Sequence, residues 1–467
     1  MTRSSRDVRP WVVLAGALGI LLLHVLPDPR PPAGVWGAVG ALAYPPGVRW
    51  ALAGLVGVLA VPAASRRTAA WLAVAWGGAR PILARVPTAA WVLLLLSGAW
   101  LLRSHVPYGD GPEMTGELEA GAWSNFKQPL DRLVNALTFR GLRAAVGADA
   151  ETSVALVSTM AGALYWLAVA RLGRRNWLGL PTVAVWLLAG THGAVALLCG
   201  HVESYSLLLA ATAWTLVMAL EAGFGEAPLW VAGLVFGLAV AIHLEAVWLA
   251  PALPVAWATR WAGKWSAAGA AGKALREAAA GAAVSLVPLA LVMTGFAATG
   301  KGLSGFSPAT FGGGDDHLFV PLSRLETPYE RFTMFSGDHL AAFGNELLLV
   351  APVGVLLALA GPLGRRADGR RTDEGTWVLL AATAGAVAYA FVFNPDLMVY
   401  SPLGVLAEWD LFAFEAVPLT LLGMWWLRTA MDPGPNRDGI VVAAVALGLF
   451  HTLGFILLNS GLVAAAP

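Results

Sequence analysis

The chain has one cysteine, Cys199, which excludes an intrachain disulfide framework and any multi-cysteine metal site. It is also poor in charge. Of 467 residues only 13% are Asp, Glu, Lys or Arg, where an ordinary soluble domain carries about a quarter. The formal net charge of +1 supplies no basic stripe, so nucleic acid drops out as a partner. No repeat of fixed period is visible, which excludes a solenoid or propeller. Segments of about ten residues with alternating polarity, the signature of a transmembrane β-barrel, are missing too.

What is abundant is apolar. Hydrophobic residues make up 58% of the chain, and the mean hydropathy is +0.67. Runs such as Trp11 to Leu26, Trp377 to Phe393 and Gly439 to Leu458 carry almost no charge, and they approach the roughly 20 residues needed to cross a bilayer core of about 30 Å. With barrels excluded, helices are the one spanning backbone left. The expected fold is all-α, a polytopic transmembrane helical bundle forming a single membrane domain over residues 1–467. Arg3, Arg6 and Arg9 precede the first run as in a signal peptide, but no small-residue cleavage site follows promptly, so an uncleaved first helix is expected.

Lys and Arg set the path, because short cytoplasmic loops are enriched in both. They gather at Arg3 to Arg9, Arg66 to Arg85, Arg171 to Arg175, Arg260 to Arg276, Arg365 to Arg371, and Arg428 with Arg437. Returning every cluster to one side gives about 11–13 spans with the N-terminus cytoplasmic. The spans are expected at 11–26, 48–64, 88–102, 152–170, 177–198, 203–220, 229–245, 246–260, 278–297, 339–361, 376–393, 411–428 and 439–460. Segments 33–44 and 68–79 are too short to span and read as interfacial or re-entrant. Most of the acids then fall on the outer side, in loops near 103–151, 298–338 and 394–410. Positive-inside sorting hardly constrains Asp and Glu, so that excess needs another cause, and function is one.

Several constellations carry candidate chemistry. Tyr108-Gly109-Asp110-Gly111-Pro112-Glu113 opens the first outer loop. Its glycines and proline build a tight turn that can hold Asp110 and Glu113 near the bilayer surface, as a base or a divalent-cation site; an ordinary solvated turn is the competing account. At the mouth of the sixth expected span, His201-Val202-Glu203-Ser204-Tyr205 places Glu203 and Ser206 on one helical face. An acid at that depth usually faces a cavity or a partner, and a tether to a neighbouring helix is the alternative; Tyr205 reads equally as an interfacial anchor or a ligand contact. His243-Leu244-Glu245 reads as a support behind the site or equally as a helix–helix tether, and His192 as a core or interface residue. In the second outer loop, Arg324, Arg331 and Lys301 are the phosphate donors, and Asp315-Asp316-His317 could touch a metal. Between the spans expected at 376–393 and 411–428, Phe393-Asn394-Pro395-Asp396 and Glu408-Trp409-Asp410-Leu411-Phe412 read as a re-entrant stretch lining a cavity, with an acidic pair around a tryptophan suited to a sugar ring.

Gly109-Asp110 in the first large outer loop, the His-x-Glu-x-Tyr helix entrance and the many spans beyond it resemble GT-C type integral membrane glycosyltransferases. Asn394-Pro395-Asp396, Glu408 to Phe412, and His339-Leu340 with Asn345 to Leu348 resemble an uncharacterised bacterial branch of that superfamily, and the likeness covers about residues 88–430. The resemblance implies transfer of a sugar from a polyprenyl-phosphate donor to a glycan, lipid or protein acceptor, on the outer face of a bacterial plasma membrane. It implies Asp110 as base or metal ligand with Glu113 beside it, a divalent cation such as Mg or Mn, and a substrate site drawn from His201, Glu203, Tyr205, Arg324, Arg331, Glu408, Trp409 and Asp410. Attack by a deprotonated acceptor hydroxyl would invert the anomeric carbon through an oxocarbenium-like state, while Arg324 or Arg331 neutralises the departing phosphate. One departure stands out: Gly111 and Pro112 separate the two acids that are usually adjacent. A secondary transporter, coupled through Glu203 and Glu245, and a non-catalytic membrane scaffold are the rival classes.

Overall fold

The structure is a computed structural model that describes residues 9–26, 35–83, 85–105, 110–300, 319–323, 332–361, 373–394 and 404–462. In chain order the α-helices are α1 (Arg9–Val25), α2 (Pro46–Ala60), α3 (Pro62–Leu83), α4 (Thr88–Leu101), α5 (Gly111–Glu119) and α6 (Pro129–Val146). Next come α7 (Ala150–Arg175), α8 (Thr182–Ala189), α9 (Tyr205–Gly223), α10 (Leu229–Ile242), α11 (Ala252–Trp261) and α12 (Ala270–Ala298). The last are α13 (Gly337–Val350), α14 (Pro352–Ala360), α15 (Glu374–Val392), α16 (Ala416–Ala430) and α17 (Pro435–Asn459). Among the described residues, 3₁₀ helices span Trp36–Ala43, Gly193–Leu198, Leu244–Leu249 and Gly404–Glu415, and the last runs directly into α16. The only β pairing among them is an isolated antiparallel bridge between Phe319 and Phe393. The fold is all-α.

Local chemistry explains where helices begin. Asp149, Ser336 and Asp373 cap α7, α13 and α15 by accepting from the backbone N–H of Thr152, His339 and Thr376 at 2.8, 3.2 and 3.2 Å. Proline opens α2, α6, α14 and α17, where its missing N–H costs no hydrogen bond. Six stretches are long and apolar enough to cross a membrane: α7, α9, α12, α15, α17 and Trp409–Ala430, which contains α16. Two bent pairs, the 3₁₀ helix Trp36–Ala43 with α2 and α13 with α14, raise the number to 8. The chain is therefore an integral membrane protein. Trp409–Ala430 forms its centre, with 94% of that window buried, whereas α12 lies at the edge with 17%.

Several expected spans take a different form. Segment 177–198 is broken into α8 and the 3₁₀ helix Gly193–Leu198, with Gly190, Thr191 and His192 between them. Segment 339–361 bends by 101° between α13 and α14, because Pro352 cannot continue the hydrogen-bond ladder. Segment 246–260 is a 3₁₀ turn followed by the ten-residue α11. Segment 68–79 belongs to the 22-residue helix α3 instead of an interfacial piece, while 33–44 does hold a buried 3₁₀ helix that meets α2 at 113°. The outer loop 103–151 is largely helical, as α5 and α6.

The two ends of the bundle differ in charge. At one end Arg171 grips Glu221 through two contacts of 2.7 Å, and Arg175 bridges Glu221 and Glu226 at 2.9 and 3.0 Å. Arg260 pairs with Glu277 at 2.9 Å, Arg428 with Asp373 at 3.3 Å, and Arg437 donates to the Gly179 carbonyl at 2.9 Å. The rings of Trp177, Phe224 and Trp425 pack in series among them, at 5.1 and 6.0 Å. Arg171, Arg175, Arg260, Arg428 and Arg437 thus share one end, and Arg66 joins it by donating to Asn436 at 2.9 Å; residues 1–8 and 365–371 lie outside the described residues. At the edge, α10 and α12 touch backbone to backbone. A Cβ on Gly233 would lie 2.3 Å from the Gly281 carbonyl oxygen, and one on Gly237 would lie 2.1 Å from that of Ser285. This is the close approach that small residues four apart permit between membrane helices. One turn beyond, α12 contains the buried Pro288.

Candidate functional site at the acidic end

The opposite end gathers the candidate acids. Asp110 is the exposed residue just before α5, and Gly111 seats that helix on the Val202–Glu203 backbone. A Cβ on Gly111 would lie 2.4 Å from the Val202 carbonyl oxygen and 3.7 Å from Glu203 Oε1, so only glycine permits this approach. Asp110 and Glu203, 93 positions apart in a chain folded through five intervening helices, are neighbours through one residue. Glu203 is buried and precedes α9, which starts at Tyr205. The expected helical face shared by Glu203 and Ser206 is therefore not formed: Glu203 turns to α5, while Ser206 Oγ donates to the Leu197 carbonyl at 2.9 Å.

Below this contact α6 forms a polar floor. Ser204 Oγ donates to Gln128 Oε1. Arg132 reaches the Met114 carbonyl at 3.3 Å and pairs with Glu117 at 2.9 Å, so Glu117 is a structural acid that fastens α5 to α6. Asp131 is buried beneath them and accepts from Asn135 Nδ2 at 2.9 Å. Burial pushes the Asp131 carboxyl from 3.8 up to about 8, against the opposing pull of Arg132 and of hydrogen bonds from Asn135 and Ser204.

On the other side His201 Nε2 lies 3.4 Å from Asp410 Oδ2, both buried, with the Trp409 ring 5.4 Å from the imidazole. Asp410 Oδ1 accepts from its neighbour Leu411 N at 3.1 Å, which fixes the carboxylate in the 3₁₀ turn. Trp409 and Asp410 thus sit in a helix that runs into α16, not in an open loop. Tyr205 is the hub: its hydroxyl lies within electrostatic range of Glu245, Asp410, Tyr389 and Asp110, and its ring packs on His243 at 5.0 Å. Gly111 thus sets Asp110 beside the Glu203 backbone, and Tyr205 lies within electrostatic range of both Asp110 and Asp410. Glu113 is exposed in the first turn of α5. Arg324, Arg331, Lys301, Asp315, Asp316, His317, Asp396 and the Glu408 side chain lie outside the described residues.

Beside the hub is a cavity of about 500 Å³. Phe236, Val240, Leu286, Leu289 and Phe393 give it apolar walls, and Lys127, His243, Glu245, Ser285 and Tyr389 give it a polar end. Its rim faces the lipid side, since Val247 and Leu286 are 52% and 68% exposed. His243 Nδ1 accepts from Glu245 N at 3.3 Å, so the proton sits on Nε2, a buried donor with no partner among the described residues. The 3.6 Å separation of His243 from Glu245 Oε2 is too long for a hydrogen bond. Lys127 lies next to this donor, its carbonyl accepting from Leu244 N at 2.9 Å. Lys127 is a residue that sequence reading missed; a single lysine between Phe126 and Gln128 carries no signal of its own. Elsewhere His192 is a buried core residue: Tyr165 Oη lies 2.8 Å from His192 Nε2 and donates to the Ala189 carbonyl at 2.6 Å. Cys199 is buried.

Among the described residues no three His, Cys, Asp or Glu side chains come close enough to hold a metal ion. Asp110 and Glu113 therefore do not by themselves complete, among the described residues, a site for the Mg or Mn that the resemblance implies. Compared with family models, with curated proteins and with solved structures, the chain matches none.

Proposed function

We propose that this protein is a membrane glycosyltransferase that moves a sugar from a polyprenyl-phosphate donor to an acceptor hydroxyl at the acidic end of the bundle. The observation that carries the reading is the hub around Tyr205, where three carboxylates from separate segments, Asp110, Glu245 and Asp410, lie within electrostatic range of one hydroxyl beside an apolar cavity open to lipid. A lipid-linked donor matches that shape, its chain against Phe236, Leu286 and Leu289 and its phosphate by Lys127 and His243 Nε2–H. Asp110, exposed just before α5, takes the proton from the acceptor hydroxyl. The acceptor oxygen then bonds to the anomeric carbon as the bond to phosphate oxygen breaks, and the polyprenyl phosphate leaves with the electron pair, with inversion. Lys127 and His243 meet the charge that develops on it. His201, Asp410 and Trp409 supply a hydrogen-bonding edge and an aromatic face for the sugar. The positive-inside rule puts the arginine-rich end in the cytoplasm and this site outside.

The test is Asp110→Asn, which keeps shape but removes basicity. Transfer from polyprenyl-phosphate sugars should fall by about 10² to 10⁴, while the purified protein stays monodisperse. Near-normal transfer would remove Asp110 as the base. A proton-coupled transporter is the second reading, favoured by Glu346 and Glu415, two buried acids within electrostatic range of each other that glycosyl transfer does not use. Proton-driven solute uptake into vesicles, with no transfer from any lipid-linked sugar, would select it.

A further inference from the structure

His24, in the last turn of α1, and His451, in α17, are completely buried and lie far from the acidic end's cavity residues in the chain. Three contacts of 2.7 Å run through them in series: His24 Nδ1 to the Ile20 carbonyl, His24 Nε2 to His451 Nδ1, and His451 Nε2 to the Leu349 carbonyl. A carbonyl oxygen only accepts, so each outer contact needs an N–H on the histidine. Two neutral imidazoles have one N–H each, and both are then used on the carbonyls. The middle contact is left as two lone pairs facing each other at 2.7 Å. Three contacts need three protons.

We propose that His24 and His451 hold one additional proton between them, as a buried imidazole–imidazolium pair. The ligand of this site is a proton, and holding it is separate from the chemistry at the acidic end. Desolvation opposes a buried cation, and two features of the fold offset it. The pair sits at the C-terminal end of α1, where helix carbonyls carry partial negative charge. It also meets the C-terminal end of α13, where the 101° bend into α14 takes the Leu349 carbonyl out of the helical ladder and leaves it for His451. Charge is thus spread over two rings and handed to two helix ends.

No ion pair reaches either ring among the described residues. On the elements packed around the pair, Tyr44 donates its hydroxyl to the Phe450 carbonyl at 3.0 Å, and Arg66 donates to Asn436 at 2.9 Å. Arg49 lies on α2, Arg67 on α3, and Arg437 and Asp438 in the first turn of α17, away from His451. On α13, Asp338 and His339 lie in its first turn, and Glu346, three residues before Leu349, is the nearest acid along that helix. The shared proton therefore joins three elements, α1, α13 and α17, at one point.

The experiment is ¹⁵N NMR of the full-length protein, labelled at histidine, in detergent at about pH 8, where a free imidazole is neutral. His24→Gln and His451→Gln assign the signals. If neither variant folds, the coupling between the two facing nitrogens across the shared proton assigns them in the unaltered chain. The expected result is three protonated nitrogens and one unprotonated among the four of the pair, with the remaining ring a neutral imidazole in either variant. Two unprotonated nitrogens among the four would overturn the proposal, as would a remaining ring that stays an imidazolium in both variants.

Discussion

Asp131 offers a direct reading of how burial is balanced in the arm formed by α5 and α6. Its carboxyl stands at about 8 in the folded protein against an ordinary value of 3.8, so the folded state holds a proton that the unfolded chain releases. The stability from that proton is complete below about pH 4 and is lost as pH rises through about 8. Across this window the slope is about 1.4 kcal/mol per pH unit for one proton, which makes about 2–3 kcal/mol between about pH 5 and pH 7. Asp131→Asn keeps the volume and an oxygen for Asn135 to reach but carries no proton to release. Thermal melts of the purified protein in detergent should therefore show the wild type losing stability over this range relative to the variant, with the variant the more stable by pH 8. The curves should meet or cross near pH 5. Parallel curves for the two proteins would refute the reasoning and place the Asp131 charge in the folded state, paired with Arg132.

Gly111→Ala sets a Cβ 2.4 Å from the Val202 carbonyl oxygen, so α5 must lift away from Glu203; a loss of about 1–3 kcal/mol, partly offset by the better helix propensity of alanine, should accompany a drop in transfer. Unchanged melting and unchanged transfer would show that the seat of α5 does not position Asp110. Because the single native cysteine is buried, cysteines placed at the exposed positions Glu113 and Arg174 can be labelled with an impermeant reagent in oriented vesicles, and they should react from opposite sides. Reaction of both from one side would undo the two-ended arrangement.

The helices that sequence reading places well, α7, α9, α15 and α17, are those whose apolar runs are long and whose ends carry their own caps or charges. The misplaced ones are decided by other parts of the chain. Segment 177–198 is uniformly apolar and reads as one span, yet its break is held by the Tyr165 contacts to Ala189 and His192, which come from α7. The site shows the same division. Glu203 and Asp410 stand out in the sequence because an acid among apolar residues is costly, and Asp110 through its glycine and proline turn, whereas the seat of α5 on Val202 depends on which glycine meets which carbonyl. His24 and His451 are 427 positions apart, and nothing local to either residue announces the other.

The glycine contact between α10 and α12 has a mechanical consequence. It clamps α12 to the bundle along Gly233 and Gly237 by rigid backbone, which cannot yield as side chains do. Immediately past the clamp, Pro288 deprives α12 of one backbone hydrogen bond at the level where Leu286 and Leu289 wall the cavity. Farther on, Phe296 packs on Trp123 and Phe126 at 5.3 and 6.1 Å, so this stretch of α12 is a beam held at both ends and thinned in its middle. The opening beside Leu286 and Leu289 can widen by bowing one peripheral helix while the buried centre around α16 stays still.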